Sequence, residues 1–184
     1  MTILVTFASR SGSTVGIAEA VGETLRKQGI VVDVRPMSEV EDVTTYQAII
    51  LGSAIRQEKW LPEAMQFIHK HQAHLAQKPV ATFLVCMALA TKDATRYESG
   101  LQSAKAWMHP VRELVQPMSE GYFAGALNLS KIKELHFRII LSTLVMLGLF
   151  PKGDHRDWDA VNQWANGLSA QLSYKSTGQP ALAG

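Results

Sequence analysis

The stretch Val5-Thr6-Phe7-Ala8-Ser9-Arg10-Ser11-Gly12-Ser13-Thr14-Val15-Gly16-Ile17-Ala18-Glu19-Ala20-Val21 decides the fold. It begins inside an apolar, β-branched run from Thr2 to Phe7 that predicts a strand. It ends inside a segment, Thr14 to Gln28, where Ile17, Ala18, Val21 and Leu25 recur at helical spacing and Gly29 supplies the stop. Between the two lie the hydroxyls of Ser9, Ser11, Ser13 and Thr14, together with Gly12. The first N–H groups of a helix have no intrahelical partner, and the helix dipole favours an anion there. Hydroxyls can donate further hydrogen bonds to a terminal phosphate, and a glycine lets the backbone come close. A helix cap built from Ser13 or Thr14 explains one of these residues but does not call for Ser9, Ser11 and Gly12 as well.

Outward from this loop, short β-type runs alternate with helical ones. Strands are predicted at Ile30–Val34, at Ala48–Leu51 (closed by Gly52), at Val80–Met87 and at Met118–Leu127. Helices are predicted at Leu61–His71 with Pro62 in the first turn, at Ala94–Met108 where Pro110 ends it, at Ser130 to about Leu149, and at Trp158 to about Leu172. Such alternation implies right-handed crossovers and a parallel sheet. The expected fold is therefore α/β, a doubly wound five-stranded sheet in the order 2-1-3-4-5. Ligands of such sheets sit at the carboxyl ends of the strands, so the loops after Phe7, Gly52 and Met87 are the ones to inspect. One domain over 1–172, a helical insert at 128–156 and a tail at 173–184 complete the expected organisation.

The chain has 184 residues, enough for one domain with its own core. Hydrophobic residues make up 47% and charged residues 18%, which excludes wholesale disorder. A formal charge of +2 with no basic run argues against a nucleic-acid partner. The lone Cys86 excludes an intramolecular disulfide and a multi-thiolate metal site, and fits a reducing compartment. Met1-Thr2-Ile3-Leu4-Val5 lacks a basic region and is followed by polar residues, so no signal peptide is expected. His69, His71 and His74 lie on one predicted helix. Only the last two share a face, and no carboxylate follows at ligand spacing, so they are expected to be solvated histidines rather than metal ligands.

The first loop matches neither G-x-G-x-x-G nor G-x-x-x-x-G-K-[ST], which sets aside a dinucleotide and a nucleoside triphosphate. A phosphate monoester held by hydroxyls points to FMN, with Ser9, Arg10, Ser11, Gly12, Ser13 and Thr14 as its phosphate residues. The same stretch resembles the flavodoxin signature in Phe7, Ser9, Gly12, Thr14, Ala18 and Val21. Thr6 departs from it, standing where an apolar residue is usual. The resemblance implies that Gly52-Ser53-Ala54-Ile55 and the following residues flank the flavin ring. Ser53, Ala54 and Ile55 are then backbone contacts, and Trp60 is either a stacking partner or a residue packed at the next helix start. It also implies that Met87, Ala88 and Leu89 cover the other side of the ring. No catalytic side chain is assigned, since a flavin carries the electron chemistry itself.

About 30 residues separate Leu127 from Trp158, where a minimal domain needs few. Lys131, Glu134, Arg138 and Ser142 fall on one helical stripe, and beyond them Leu144, Val145, Met146, Leu147, Leu149 and Phe150 leave no polar face. Residues 131–150 could bury this surface on their own domain, on a second subunit, or in a membrane headgroup region; the run is too short to span a bilayer. The insert, with Gly52-Ser53-Ala54-Ile55-Arg56, Ala124-Gly125-Ala126-Leu127 and Asp157-Trp158, resembles the menaquinone-dependent protoporphyrinogen dehydrogenases. That resemblance implies an FMN-dependent oxidoreductase acting on a porphyrinogen, with a quinone or a redox protein as partner. It also implies a cytoplasmic location that extends to the inner face of the membrane. The alternatives are a flavodoxin-type electron carrier and a binding protein that has lost its flavin. Carriers are commonly acidic, and a pI of about 8.7 sets this chain apart from them.

Overall fold

The computed structural model describes residues 2–127 and 153–176, together with Ile139, Thr143 and Met146. Five parallel strands form the sheet: β1 (Thr2–Ala8), β2 (Val31–Pro36), β3 (Ala48–Arg56), β5 (Val80–Cys86) and β6 (Ser119–Ala124). A short strand β4 (Lys59–Trp60) pairs antiparallel with the end of β3. The spatial order β2-β1-β3-β5-β6 is the expected doubly wound order, counted over the five parallel strands. β1, β3 and β5 are apolar on both faces because helices cover both, as parallel sheets require.

The helices are α1 (Ser13–Lys27), α2 (Pro62–Leu75), α3 (Ala94–Trp107), α4 (His109–Val115) and α5 (Trp158–Ser176). Successive strand residues point to opposite faces, which divides the core in two. Leu4, Ile49, Leu51 and Leu84 face Phe67 and Ile68 of α2 and Val111 of α4. Ile3, Val5, Ile50 and Phe83 face Ile17 and Val21 of α1 and Val161 and Leu168 of α5. On that second side Trp164 meets Phe83 and Phe123 edge to face, and the two phenyl rings are tilted against each other, with centroids 5.6 to 6.1 Å apart.

Four differences from expectation have physical causes. The helix over Ala94–Met108 does break as expected, but Pro110 then sits in the first turn of a new helix, α4, where its missing N–H costs nothing. β3 runs five residues past Leu51 and turns back into β4 through Gln57 and Glu58, both in the left-handed region with φ of 51° and 63°. Two-residue hairpin turns of this kind favour Asn and Gly, so the sequence carried no signal for it. His71 is not solvated: its imidazole is buried against Phe67, 4.6 Å between centroids. α5 continues to Ser176, beyond the expected end near Leu172.

Two polar anchors fix the periphery. Lys78 Nζ donates to the carbonyls of Val43, Thr44 and Tyr46 at 2.5 to 2.8 Å, pinning the segment before β3. Arg112 of α4 donates two hydrogen bonds of 2.6 Å to Glu120 of β6, and a third to the Tyr122 hydroxyl at 2.9 Å. Burial and then the Glu120 hydrogen bond push the Tyr122 phenol up to about 12. Burial alone would raise Glu120, but its bonds to Arg112 and Tyr122 hold the carboxyl below its ordinary range. Finally, β7 (Ala126–Leu127) pairs antiparallel with β8 (Gly153–Asp154), so Leu127 and Gly153 stand side by side. The expected insert helix lies outside the described residues apart from Ile139, Thr143 and Met146, all helical and exposed.

Candidate functional site

The strand register brings the candidate loops to one edge. Ala8 pairs with Ser53, Ala54 with Val85, and Cys86 with Ala124. Four parallel strands thus end side by side, roughly 5 Å apart from one to the next. The loops that follow them are Ser9–Gly12, Gln57–Glu58, Met87–Asp93 and Gly125. Gly125 is the place where these loops meet. A Cβ there would lie 3.5 Å from Met87 Sδ and 3.6 Å from Ser13 Oγ, so the backbone after β6 closes on both the first and the third loop.

The first loop is built to leave donors open. Ser9 Oγ accepts the Gly12 N–H at 3.1 Å, which curls the chain into α1. Gly12 takes φ of 87°, a left-handed conformation that side chains resist. No side chain caps α1, and its first turn holds no acidic residue. The N–H groups of that turn therefore face the loop with the positive end of the helix dipole behind them. Thr14, in the same turn, is fully buried, and its hydroxyl has no hydrogen-bond partner. Buried polar groups are nearly always paired; Thr6, Trp60 and His71 are further orphans among the described residues, and Thr14 is the one that lies in the uncapped first turn of α1. Arg10 is half-exposed and reaches Glu63 of α2 at 2.7 Å. This donor set fits a phosphate monoester: backbone N–H groups, hydroxyls, one guanidinium and no carboxylate in the first turn of α1.

The second loop is arranged differently from the first. Ser53 is fully buried; its hydroxyl donates to the Ala54 carbonyl at 2.8 Å and accepts the Leu61 N–H at 3.1 Å, which fixes the entry to α2. Ala54 and Ile55 are partly exposed at the sheet edge. Trp60 lies in the core, 5% exposed, through the pairing of β4 with Ile55 of β3, and its indole N–H is unpartnered. Of the two roles open to Trp60, packing at the start of α2 is the one its position serves.

In the third loop Ala88 is exposed, Met87 partly exposed, and Leu89 buried in the core. The loop is held from below. The N–H of Ala90 bonds the Met87 carbonyl at 3.0 Å, and the N–H of Gly125 bonds the Cys86 carbonyl at 3.0 Å. Burial pushes the Cys86 thiol up, against the pull of the Leu89 and Ala88 backbone N–H groups. From above, α3 comes down so close that a Cβ on Gly100 would stand 2.4 Å from the Ala88 carbonyl oxygen.

Sequence reasoning did not anticipate Arg156. Its guanidinium bonds Asp154 at 2.5 and 2.8 Å, lies 4.5 Å over the Trp158 ring, and would meet a Cβ on Gly16 at 2.6 Å. It pins the return of the chain against α1. The Arg156 hydrogen bonds hold the Asp154 carboxyl down to about 2. The bare Gly16 within an otherwise periodic helix was the signal for this close approach.

A five-stranded parallel sheet in the order β2-β1-β3-β5-β6, with helices on both faces, is the flavodoxin-like architecture. The chain belongs to the flavodoxin family: residues 4–147 match the model of the flavodoxin domain. Among curated proteins it is similar to the protoporphyrinogen IX dehydrogenase [quinone] of Escherichia coli (strain K12), 29% identical over 87 residues, covering 46% of this chain and 48% of that one. The chain thus spans about half the length of the curated relatives it matches. Among solved structures it is similar in fold to a flavodoxin from the domain Archaea, with TM-score 0.60, 15% identity and coverage of 94% and 99%. Oxidised Flavodoxin 2 from Bacillus cereus has TM-score 0.54 and 21% identity, with coverage of 95% and 99%.

Proposed function

We propose that this protein binds FMN at the carboxyl edge of its sheet and acts as an FMN-dependent oxidoreductase, moving electrons from a porphyrinogen-type substrate to a quinone. The observation that carries the proposal is the fully buried, unpartnered Thr14 hydroxyl in the uncapped first turn of α1. Ser9, Arg10, Ser11, Gly12, Ser13 and Thr14 hold the phosphate. Ser53 to Ile55 and Met87 to Leu89 frame the ring, mainly with backbone groups, and Trp60 supports the second loop from within the core. FMN, once bound, supplies the electron chemistry; this chain supplies placement. The porphyrinogen and the quinone enter through the similarity to the Escherichia coli dehydrogenase.

The test is anaerobic turnover of the FMN-loaded protein with protoporphyrinogen and a menaquinone analogue. Porphyrin formation matched by quinone reduction is expected. Retained FMN without turnover would leave the electron-carrier reading in its place. The proposal also includes peripheral membrane contact through 131–150. Ile139 and Met146 support it: they share a helical face with Thr143 and are 57% and 81% exposed. No helix among the described residues is long and apolar enough to cross a membrane. Co-sedimentation with anionic liposomes at low salt is expected, and a stable dimer that ignores liposomes would assign 131–150 to a second subunit instead.

A further inference from the structure

The cation of the first loop is already paired. Arg10 Nη2 stands 2.7 Å from Glu63 Oε1, with both side chains half-exposed. Arg10 belongs to the loop between β1 and α1; Glu63 is the acidic residue in the first turn of α2. From Thr2 to Leu25 no other Lys or Arg occurs, so this guanidinium is the full positive charge the first loop can offer an anion. A phosphate arriving at the orphaned Thr14 hydroxyl meets open helix donors and a guanidinium whose charge is in use. Carboxylate and phosphate address the same planar fork of N–H groups, so the two compete for it. The pair lies in solvent, where such bridges are weak, so exchanging one anion for the other has little to overcome.

We infer that Arg10 and Glu63 form an exchangeable ion pair in which Glu63 competes with the ligand phosphate for the Arg10 guanidinium. Glu63 thereby sets how strongly the site selects a phosphorylated ligand over its unphosphorylated counterpart. The inference rests on the proposed FMN site and deepens it. It concerns a residue on α2, outside the loop that holds the phosphate.

The experiment measures dissociation constants of FMN and riboflavin at low salt, by flavin fluorescence, for the wild type, E63Q, R10Q and the double variant R10Q/E63Q. Low salt is used because exposed pairs are screened as ionic strength rises. E63Q is expected to tighten FMN by about two- to fivefold, the range an exposed pair commands, and to leave riboflavin unchanged. R10Q is expected to weaken FMN by about tenfold, again without effect on riboflavin. In the R10Q background, E63Q is expected to have no further effect. Weaker FMN binding by E63Q would show that the bridge holds Arg10 in place for phosphate, and would overturn the inference. So would an equal shift for both flavins, or a gain that persists without Arg10. If neither flavin binds the wild type, the proposed site and this inference fall together. If FMN binds and E63Q leaves the FMN-to-riboflavin ratio unaltered, only this inference falls.

Discussion

Replacing Thr14 with valine should move stability and ligand affinity in opposite directions. The Thr14 hydroxyl is buried without a partner, and a desolvated, unpaired hydroxyl costs roughly 1–3 kcal/mol. Valine keeps the branched shape and the helix propensity while removing that cost. The ligand-free T14V protein should therefore gain about 1–2 kcal/mol, a rise in melting temperature of about 2–8 °C for a domain of this size. On the proposed FMN site the same change removes a hydrogen bond to a charged phosphate, worth about 1.5–3 kcal/mol, so FMN should bind about ten- to a hundredfold more weakly. Thr6 provides the matched control. It too is fully buried with an unpartnered hydroxyl, but it lies within β1, away from the loop. T6V should raise the melting temperature by a similar amount and leave FMN affinity alone. Thermal melts without flavin and FMN titrations of both variants check the pair. A T14V protein that melts lower, or that binds FMN as tightly as the wild type, refutes the reasoning.

Three further outcomes follow from the same geometry. G100A should push α3 against the Ala88 carbonyl, displace the third loop, and weaken FMN and riboflavin by the same factor, as equilibrium titrations of both flavins would read. K78M should cost about 1–3 kcal/mol in denaturant melts, since three carbonyls at 2.5 to 2.8 Å lose their charged donor. Burial holds the His71 imidazole below its ordinary value of 6.5, with Lys70 and His74 adding to the effect. Its folded value lies under its unfolded one, so the stability it contributes is full above 6.5 and is lost as pH falls below that towards the folded value. Melts across this window should slope downward with acid for the wild type, and less steeply for H71F.

The fold was legible because it rests on chain-local physics. β1, β3 and β5 are apolar without alternation, helices of regular period lie between them, and Gly12 and Gly29 mark their ends. The candidate phosphate loop stood out in the sequence for the same reason: its hydroxyls and glycine are contiguous. What escaped depends on contacts between distant segments. His71 is buried because it shares the face of α2 that carries Phe67 and Ile68 into the core against the sheet. The Gln57–Glu58 turn exists because Ile55 and Trp60 pair, against the turn preference of both residues. Arg156 meets α1 only because β7 and β8 bring the chain back beside Gly125. The pairing of Arg10 with Glu63 likewise joins the loop after β1 to the start of α2, which no sequence window contains.

In the proposed function the carboxyl edge of the sheet is a flavin site whose grip is on the phosphate. The direct measurement is to incubate the purified protein with FMN or with riboflavin, desalt it, and read the visible spectrum. An equimolar amount of FMN should stay with the protein, showing its flavin bands, while riboflavin is lost. A protein that comes through colourless from both, or that retains both equally, contradicts the proposed site.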